Sequence, residues 1–480
     1  MDIKISVINP LKFVLFFLLI TGNLFSQWSQ DVRLTNDPSD SHQQLGSARW
    51  IAVRGNTVHV IWIDKRDGFP QLYYKRSTDG GINWSQDLRL TNDTFNVSTA
   101  TIAVWGDTVH VAWSDDRDGD YDIYYKRSID GGLTWQTDTC LVNDNIYSQR
   151  PALAVWKNYV YLAYSVYYYP NYIRFKRSID GGVTWENEID ISNGVPAWCP
   201  SIFAVDSFVH ISWHDGGAFV LYRHSSNYGV DWDSVVVINT PSGQLSEATC
   251  ITVSDSNIHI IWHDDAGGGQ LFYARSTDNG NTWGQPVILS SYFSGVVASS
   301  IISSDSNVYA VWNSDHTGHL QIYYKYSHDN GLTWSQDTQL TYDTTNSSLP
   351  NLAFSDSVLY LVWTDSRDGN REIYFKRNPY PEFMGETTPR PHLKKEQETV
   401  KLFRIMTFFD DNLNLTFLNS YKKPIHLNLY STSGRVVIKK LFLFIPKKLT
   451  IRTANLPPGV YFLNIEIDRK YRLKEKLIKR

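Results

Sequence analysis

Three short loops carry the most suggestive chemistry in the chain: DKRDG at 64–68, DDRDG at 115–119 and DSRDG at 365–369. Each sets an arginine (Arg66, Arg117 or Arg367) beside an aspartate (Asp67, Asp118 or Asp368). A guanidinium offers a planar fork of donors that suits two-point recognition of a carboxylate or sulfate. The same pairing also suits a brace between neighbouring repeats, so a ligand-binding row and a structural clasp are both open at this point. Asp116, Asp118, Asp120 and Asp122 alternate along the second loop, and Asp368, Asn370 and Glu372 partly copy them. Calcium takes roughly six to eight oxygens from loops of this kind, although the spacing is not that of an EF-hand. No cofactor is expected, and calcium is the one ion these residues leave open.

A cluster of tyrosines, Tyr167, Tyr168, Tyr169 and Tyr172, stands in a loop that no other segment repeats. Exposed, such rings stack on sugars; buried, they anchor the loop. His59, His110, His210 and His259 recur at one position of a VHV-like segment, where Tyr161, Tyr309 and Tyr360 replace them elsewhere. Equivalent places in separate repeats cannot converge on one ion, so these histidines are expected to be structural.

The elements that must hold these loops form a repeat. STDGGINW (77–84), SIDGGLTW (128–135), SIDGGVTW (178–185), SSNYGVDW (225–232), STDNGNTW (276–283) and SHDNGLTW (327–334) start about 50 residues apart. Between them lie short pieces rich in Val, Ile, Tyr and Trp, such as TIAV, VHVAW, IYYKR and WQTDTCLV in the second unit. Asp, Gly and Asn clusters bound these pieces, and none has the period of a long amphipathic helix. Four strands per unit, repeated around a ring, describe a β-propeller blade. The first three pieces each occur seven times. The Trp-led piece also occurs seven times, but its first copy, WSQDVRLT at 28–35, stands alone at the N-terminus. The expectation is an all-β, seven-bladed propeller of four-stranded blades. In it, Trp28–Thr35 supplies the outer strand of the last blade and removes two open sheet edges. By strand alternation the Arg-Asp-Gly loops come from three consecutive blades and lie on the face opposite the recurring turns.

In those turns, Asp79, Asp130, Asp180, Asp278 and Asp329 are placed to accept backbone N–H groups of their own turn. The string S-x-D-x-G-x-T-W resembles the Asp box, or BNR repeat, of the sialidase-like propellers, over residues 28–377. That resemblance implies the propeller fold and ligand binding on the face away from the Asp boxes. For an exo-sialidase it also implies three arginines on a substrate carboxylate, a Tyr–Glu nucleophile pair and an Asp acid/base. The nearest match to the family's arginine motif is Gln149-Arg150-Pro151, in the third unit, which makes Arg150 a candidate ligand residue. Glu247 is the one candidate partner for a Tyr. Nearly equal unit lengths argue against long inserted active-site loops, and the family's enzymes usually have six blades.

Charge and chain ends complete the reading. Net charge is −4, but residues 391–480 hold 19 Lys+Arg against 7 Asp+Glu, which leaves the rest acidic. An acidic body repels phosphates, so no nucleic-acid partner is expected. Three cysteines are too few for a disulfide framework. Lys4 and Lys12 before the apolar stretch Phe13–Ile20 read as a secretory signal peptide over 1–26, with no transmembrane span in the mature chain. Residues 27–378 form the propeller, and PYPEFMGETTPRPH opens a linker over 379–399. The order NLYSTSGRVV…LTIRTANLPPGVYFLNIEI…KEKLIKR resembles the C-terminal sorting domain of the type IX secretion system, over 400–480. It implies a small β-sandwich-like domain, a Gram-negative cell of the Bacteroidetes type, the secretion machinery as partner, and export through the outer membrane to the surface or medium. The expected function is non-catalytic recognition of an extracellular glycan or surface protein. A glycoside hydrolase of exo-sialidase type and a structural adhesin are the alternatives. The candidate ligand residues are the three Arg–Asp pairs, Arg150 and Tyr168.

Overall fold

The structure, a computed structural model, describes residues 28–379 and the strands within 403–479. Short stretches at 44–48, 93, 144–145, 168–170, 218, 240–245, 265–268, 292–294 and 297 lie outside the described residues. So do the signal segment 1–26, Tyr168, Tyr169 and nearly all of the linker. The chain divides into two compact units, and the repeats lie in the one spanning Gln30–Ser355 and Leu359–Arg377.

Seven antiparallel sheets follow one another between residues 32 and 378. The second is representative: Val97–Trp105, Thr108–Asp115, Asp122–Ser128 and Thr139–Val142, paired in that order. Alternating, mostly apolar segments make these strands, and each β-branched or aromatic residue packs on a pleated face. The second strand of each sheet is buried almost throughout, with Trp62, Trp113, Trp213, Trp262, Trp312 and Trp363 among the largest fully buried side chains. The innermost strands touch in a cycle, from Ile51–Arg54 through each sheet to Ser347–Ser355 and back to Ile51–Arg54. A ring of radiating sheets about a central channel is a β-propeller.

The N-terminal strand closes the ring as the sequence suggests. Val32–Arg33 pairs with the third strand of the last sheet, Val32 opposite Phe375 and Arg33 opposite Tyr374. Leu34 N–H donates to Ile373 O at 2.8 Å, and the Arg33 guanidinium meets the buried Glu372 carboxylate at 2.7 Å.

Adjacent blades are clasped by the Asp boxes. In the second blade, Asp130 Oδ1 accepts the N–H groups of Leu133 (3.0 Å) and Thr134 (2.9 Å), and Oδ2 accepts the Thr134 hydroxyl. The resulting turn holds Gly132 at φ 83°, directly over the Tyr74 hydroxyl of the first blade; a Cβ there would lie 1.9 Å from Tyr74 Oη. Trp135 packs edge-on against Tyr74, and Arg76 Nη1 donates to Gly131 O at 2.7 Å. The same T-shaped contact recurs as Tyr125–Trp185, Phe175–Trp232, Tyr222–Trp283, Tyr273–Trp334 and, across the closure, Phe375–Trp84.

One departure from the repeat positions the site described next. In the first sheet the innermost strand is interrupted. Ser41–His42 and Ile51–Arg54 both pair with Thr57–Asp64, with 43–50 between them. Trp28 precedes Ile51 by 23 residues, whereas Trp84 precedes Ile102 by 18. Unit lengths measured from one Asp box to the next miss this insertion, because it precedes the first box.

In the C-terminal unit, Phe403–Ile405, Asn412–Phe417 and Lys448–Arg452 form one sheet. Phe408–Phe409, Tyr471–Lys479, Gly459–Ile467, Ile425–Ser431 and Val436–Phe442 form another. Leu413, Leu427, Leu429, Ile451, Leu463 and Ile465 are its buried residues. The basic end is a strand, and Lys479 is buried with its ammonium donating to Thr453 O (2.7 Å) and Leu456 O (2.6 Å).

Candidate functional site

The Arg-Asp-Gly loops are built as clasps. Arg66 donates to Asp64 (2.6 Å) at the end of its own second strand and to Asp87 (2.8 Å) at the start of the outer strand. Its guanidinium carbon sits 4.6 Å from the centroid of the Tyr73 ring. Arg117 repeats this with Asp115, Asp138 and Tyr124. Arg367 does so with Asp365, Asp31 and Tyr374. Asp31, from the N-terminal strand, thus stands where Asp87 and Asp138 stand in their blades. Two of the arginines also reach the neighbouring blade: Arg66 lies 3.9 Å from Asp37 and Arg367 lies 2.7 Å from Asp343.

Burial works to raise the Asp64 carboxyl, but hydrogen bonds from Arg66, Trp62 and Ser41 outweigh it and hold the group below its ordinary value. For Arg66, burial works downward, yet Asp64 and Asp87 leave the guanidinium pKa above its ordinary value. The adjacent aspartates do not pair with their own arginines. Asp67, Asp118 and Asp368 accept the hydroxyls of Tyr73, Tyr124 and Tyr374 instead.

The other candidates have identifiable places. The Asp-box carboxylates are spent on their turns. The Asp278 carboxyl is pulled down to about 2 by hydrogen bonds from the Thr282 hydroxyl and backbone and from the Ser276 hydroxyl. Asn227 fills the same place in the fourth blade, accepting Asp231 N–H at 2.9 Å. Asp116 accepts from the Asn96 backbone and amide, Asp118 from Tyr124, and Asp122 is buried within its strand. Among the described residues no group of three or more His, Cys, Asp or Glu is disposed to hold a metal. The Glu247 side chain lies outside the described part.

Arg150 does line a cavity, of about 500 Å³, at the channel mouth on the face away from the Asp boxes. Five blades supply its walls: His42 and Gln43, Ser98 and Thr99, Gln149 and Arg150, Asn313 and Leu320, and Ser348, Leu349 and Arg371. Arg150 and Leu349 sit at innermost-strand irregularities with φ 56° each, a conformation that costs energy in a non-glycine residue. Arg150 N–H donates to Thr99 Oγ1 at 3.0 Å, and its guanidinium reaches Cys199 Sγ. Arg371 is held by Asp40 at 2.8 Å.

Among the described residues, three that line this cavity carry buried polar atoms without a protein partner. Asn313 is fully buried, and neither its Oδ1 nor its Nδ2 has one. The same holds for both amide atoms of the buried Gln43 and for Nδ1 of the buried His42. Burial, with Arg371 and Lys65 nearby, pushes the His42 imidazole down to about 4, so it is neutral near pH 7. Buried polar atoms left unpaired are costly, so three such side chains beside one cavity make it the candidate binding site. Of these residues only Arg150 is singled out by the sequence. Asn313 follows Trp312 where other blades carry Ile63, Ser114, His214, His263 and Thr364, so its type gives no signal.

Comparisons with known proteins agree with this architecture. A secretion system C-terminal sorting domain matches residues 409–480, and a BNR/Asp-box repeat matches residues 325–336. No curated protein matches the sequence. Among solved structures, an ulvan lyase from a new polysaccharide lyase family superposes with a TM-score of 0.53 at 12% identity, over 70% of this chain and 94% of that one. An ulvan lyase bound to -[GlcA(1-4)Rha3S]- gives 0.52 at 12% identity, with the same coverage. A Trypanosoma rangeli sialidase gives 0.42 at 12% identity, over 72% and 60% of the two chains. The chain thus has a β-propeller fold and carries an Asp-box repeat. It carries a type IX C-terminal sorting domain, which directs it to the cell surface or the extracellular space. No helix among the described residues is long and apolar enough to cross a membrane.

Proposed function

We propose that the propeller recognises an extracellular glycan bearing carboxylate or sulfate groups, bound without turnover at the channel mouth. The observation that carries this reading is the set of unpartnered polar atoms on His42, Gln43 and Asn313, gathered with Arg150 and Arg371 around one cavity. Amide and imidazole groups match sugar hydroxyls, and guanidinium groups match acidic substituents. Export to the cell exterior puts the cavity where such polymers are met. The likeness in fold to an ulvan lyase bound to a glucuronate–sulfated rhamnose polymer is in keeping with it.

A second reading rests on His42. A neutral imidazole can accept the proton α to a uronate carboxylate if the bound carboxylate offsets Arg371 and Lys65, which otherwise oppose its protonation. The bond from C4 to the glycosidic oxygen would then break to leave a C4=C5 double bond, the departing oxygen taking a proton from water. One experiment separates the readings. The secreted protein is incubated with uronate-containing and sulfated polysaccharides, and binding, ultraviolet absorbance and reducing ends are followed together. Binding alone supports recognition, and Arg150→Ala should then weaken it roughly tenfold. Rising absorbance supports elimination, whereas new reducing ends without absorbance point to hydrolysis. Absence of binding to every acidic polymer removes the proposal.

A further inference from the structure

Below the mouth, the central channel holds a second cavity, of about 490 Å³, which shares no lining residue with the first. Arg49 stands in its wall, where the interrupted innermost strand of the first blade resumes. The backbone here is fixed from both sides: Arg49 O accepts Ile102 N–H at 2.9 Å, and Trp50 N–H donates to Asn351 Oδ1 at 3.1 Å. The side chain crosses the channel, and its guanidinium carbon lies 5.1 Å from the centroid of the Phe203 ring, in the fourth blade. Among the described residues no carboxylate or other acceptor partners this guanidinium. Asp255 and Asp305 line the same cavity but stand in the turns that end their innermost strands.

The Arg49 side chain is half-buried in the channel wall. Burial lowers its pKa, and the Cys250 thiol is the one nearby group that counters this. A guanidinium nevertheless stays charged at any physiological pH. An enclosed cation without a counter-charge is costly, and contact with one aromatic face returns only part of that cost. Of the other arginines singled out above, Arg66, Arg117, Arg367 and Arg371 each have an aspartate partner, and Arg150 reaches the Cys199 sulfur.

We infer that the central channel is an anion site, in which a small monovalent anion, a halide or a simple carboxylate, binds the Arg49 guanidinium against Phe203. The anion supplies the charge that the protein omits and ties the first blade to the fourth across the channel. The site is separate from the glycan cavity and does not depend on it.

The test is a melting series on the mature full-length protein and on Arg49→Met and Arg49→Lys, with sodium chloride and sodium acetate titrated separately. Ligand binding to the folded state raises the melting temperature by equal steps for each tenfold rise in anion above its dissociation constant. That dependence is expected in the wild type, weakened in Arg49→Lys and absent from Arg49→Met. General salt effects appear in all three and subtract out. A response to chloride alone identifies a halide site, one to acetate alone a carboxylate site, and one to both a site open to either. Parallel curves for wild type and Arg49→Met overturn the inference. Should Arg49→Met fail to fold, wild-type crystals soaked separately in bromide and in bromoacetate decide: anomalous density beside Phe203 in one of them is required, and its absence from both sinks the site.

Discussion

At the level of single side chains, the Arg-Asp-Gly loops show how a residue pattern that looks like a ligand site can be consumed by the fold. Asp64 is buried, and a carboxylate there is tolerable only because Arg66, Trp62 and Ser41 donate to it. Arg66→Ala should therefore cost about 2–3 kcal/mol of stability, the range for a charge-assisted bond in a partly buried setting. Glycan affinity of the folded protein should stay unchanged. Arg117→Ala and Arg367→Ala should behave alike, and a melting curve paired with a binding titration checks all three. The recurring histidines give a second case. His59, His110, His210 and His259 each bond a tyrosine hydroxyl through Nδ1, at 2.6–2.7 Å. In the third and seventh blades Tyr161 and Tyr360 replace the histidine and face Phe175 and Phe375, whereas in the sixth Tyr309 faces Tyr324. His110→Tyr alone should overpack against Tyr125, and adding Tyr125→Phe should recover most of the loss, as a double-mutant cycle will show. Burial, with Arg127 nearby, holds His110 at about 3 against an ordinary 6.5. On acidification the unfolded chain takes up the proton first, so stability is lost as pH falls from about 6.5 towards 3. The double variant should show a shallower loss over that window than the wild type.

At the level of strands and turns, most of the architecture was legible because it repeats. Six Asp boxes, the apolar segments between them and a lone Trp-led piece at the start were enough to place each strand and the closure. The interruption in the first innermost strand escaped notice, since the repeat unit was measured from box to box. It matters because it carries Gln43 at the mouth and Arg49 in the channel. The mouth site was only partly readable for a related reason. Its residues come from five blades and share no motif, and a buried asparagine without a partner looks in sequence like any other strand residue. The closing strand yields a direct test. A chain beginning at Asn36 loses Val32–Arg33, the Arg33–Glu372 ion pair and the Arg367–Asp31 contact together. It also deprives the buried Glu372 of its donors Arg33 and Thr35, and Arg367 and Lys376 of the Asp31 carboxylate. Its melting temperature should fall sharply, by far more than any single exposed substitution would cause, and a truncated protein that melts like the parent would contradict this closure.

At the level of the whole molecule, the propeller and the sorting domain are separable in purpose. The last strand, Tyr471–Lys479, pairs along its length with Gly459–Ile467, and Lys479 satisfies carbonyls of the loop before it. Deleting residues 471–480 should leave a propeller with unchanged melting behaviour while abolishing delivery to the surface and medium. Fractionation of the producing cells measures this, and undiminished surface protein would refute the sorting role. Ring closure also has a consequence in time. The strand made first finds its partner about 340 residues later, as the Arg33–Glu372 contact shows with its separation of 339. A chain emerging from the ribosome cannot complete its ring until almost the whole propeller exists. Contacts that distant form late, because the intervening chain must be ordered before they return any stability. A protein bound for export thus remains unclosed for most of its synthesis, a state suited to passage through a narrow translocation pore, and it locks shut only when its beginning and end meet on the far side.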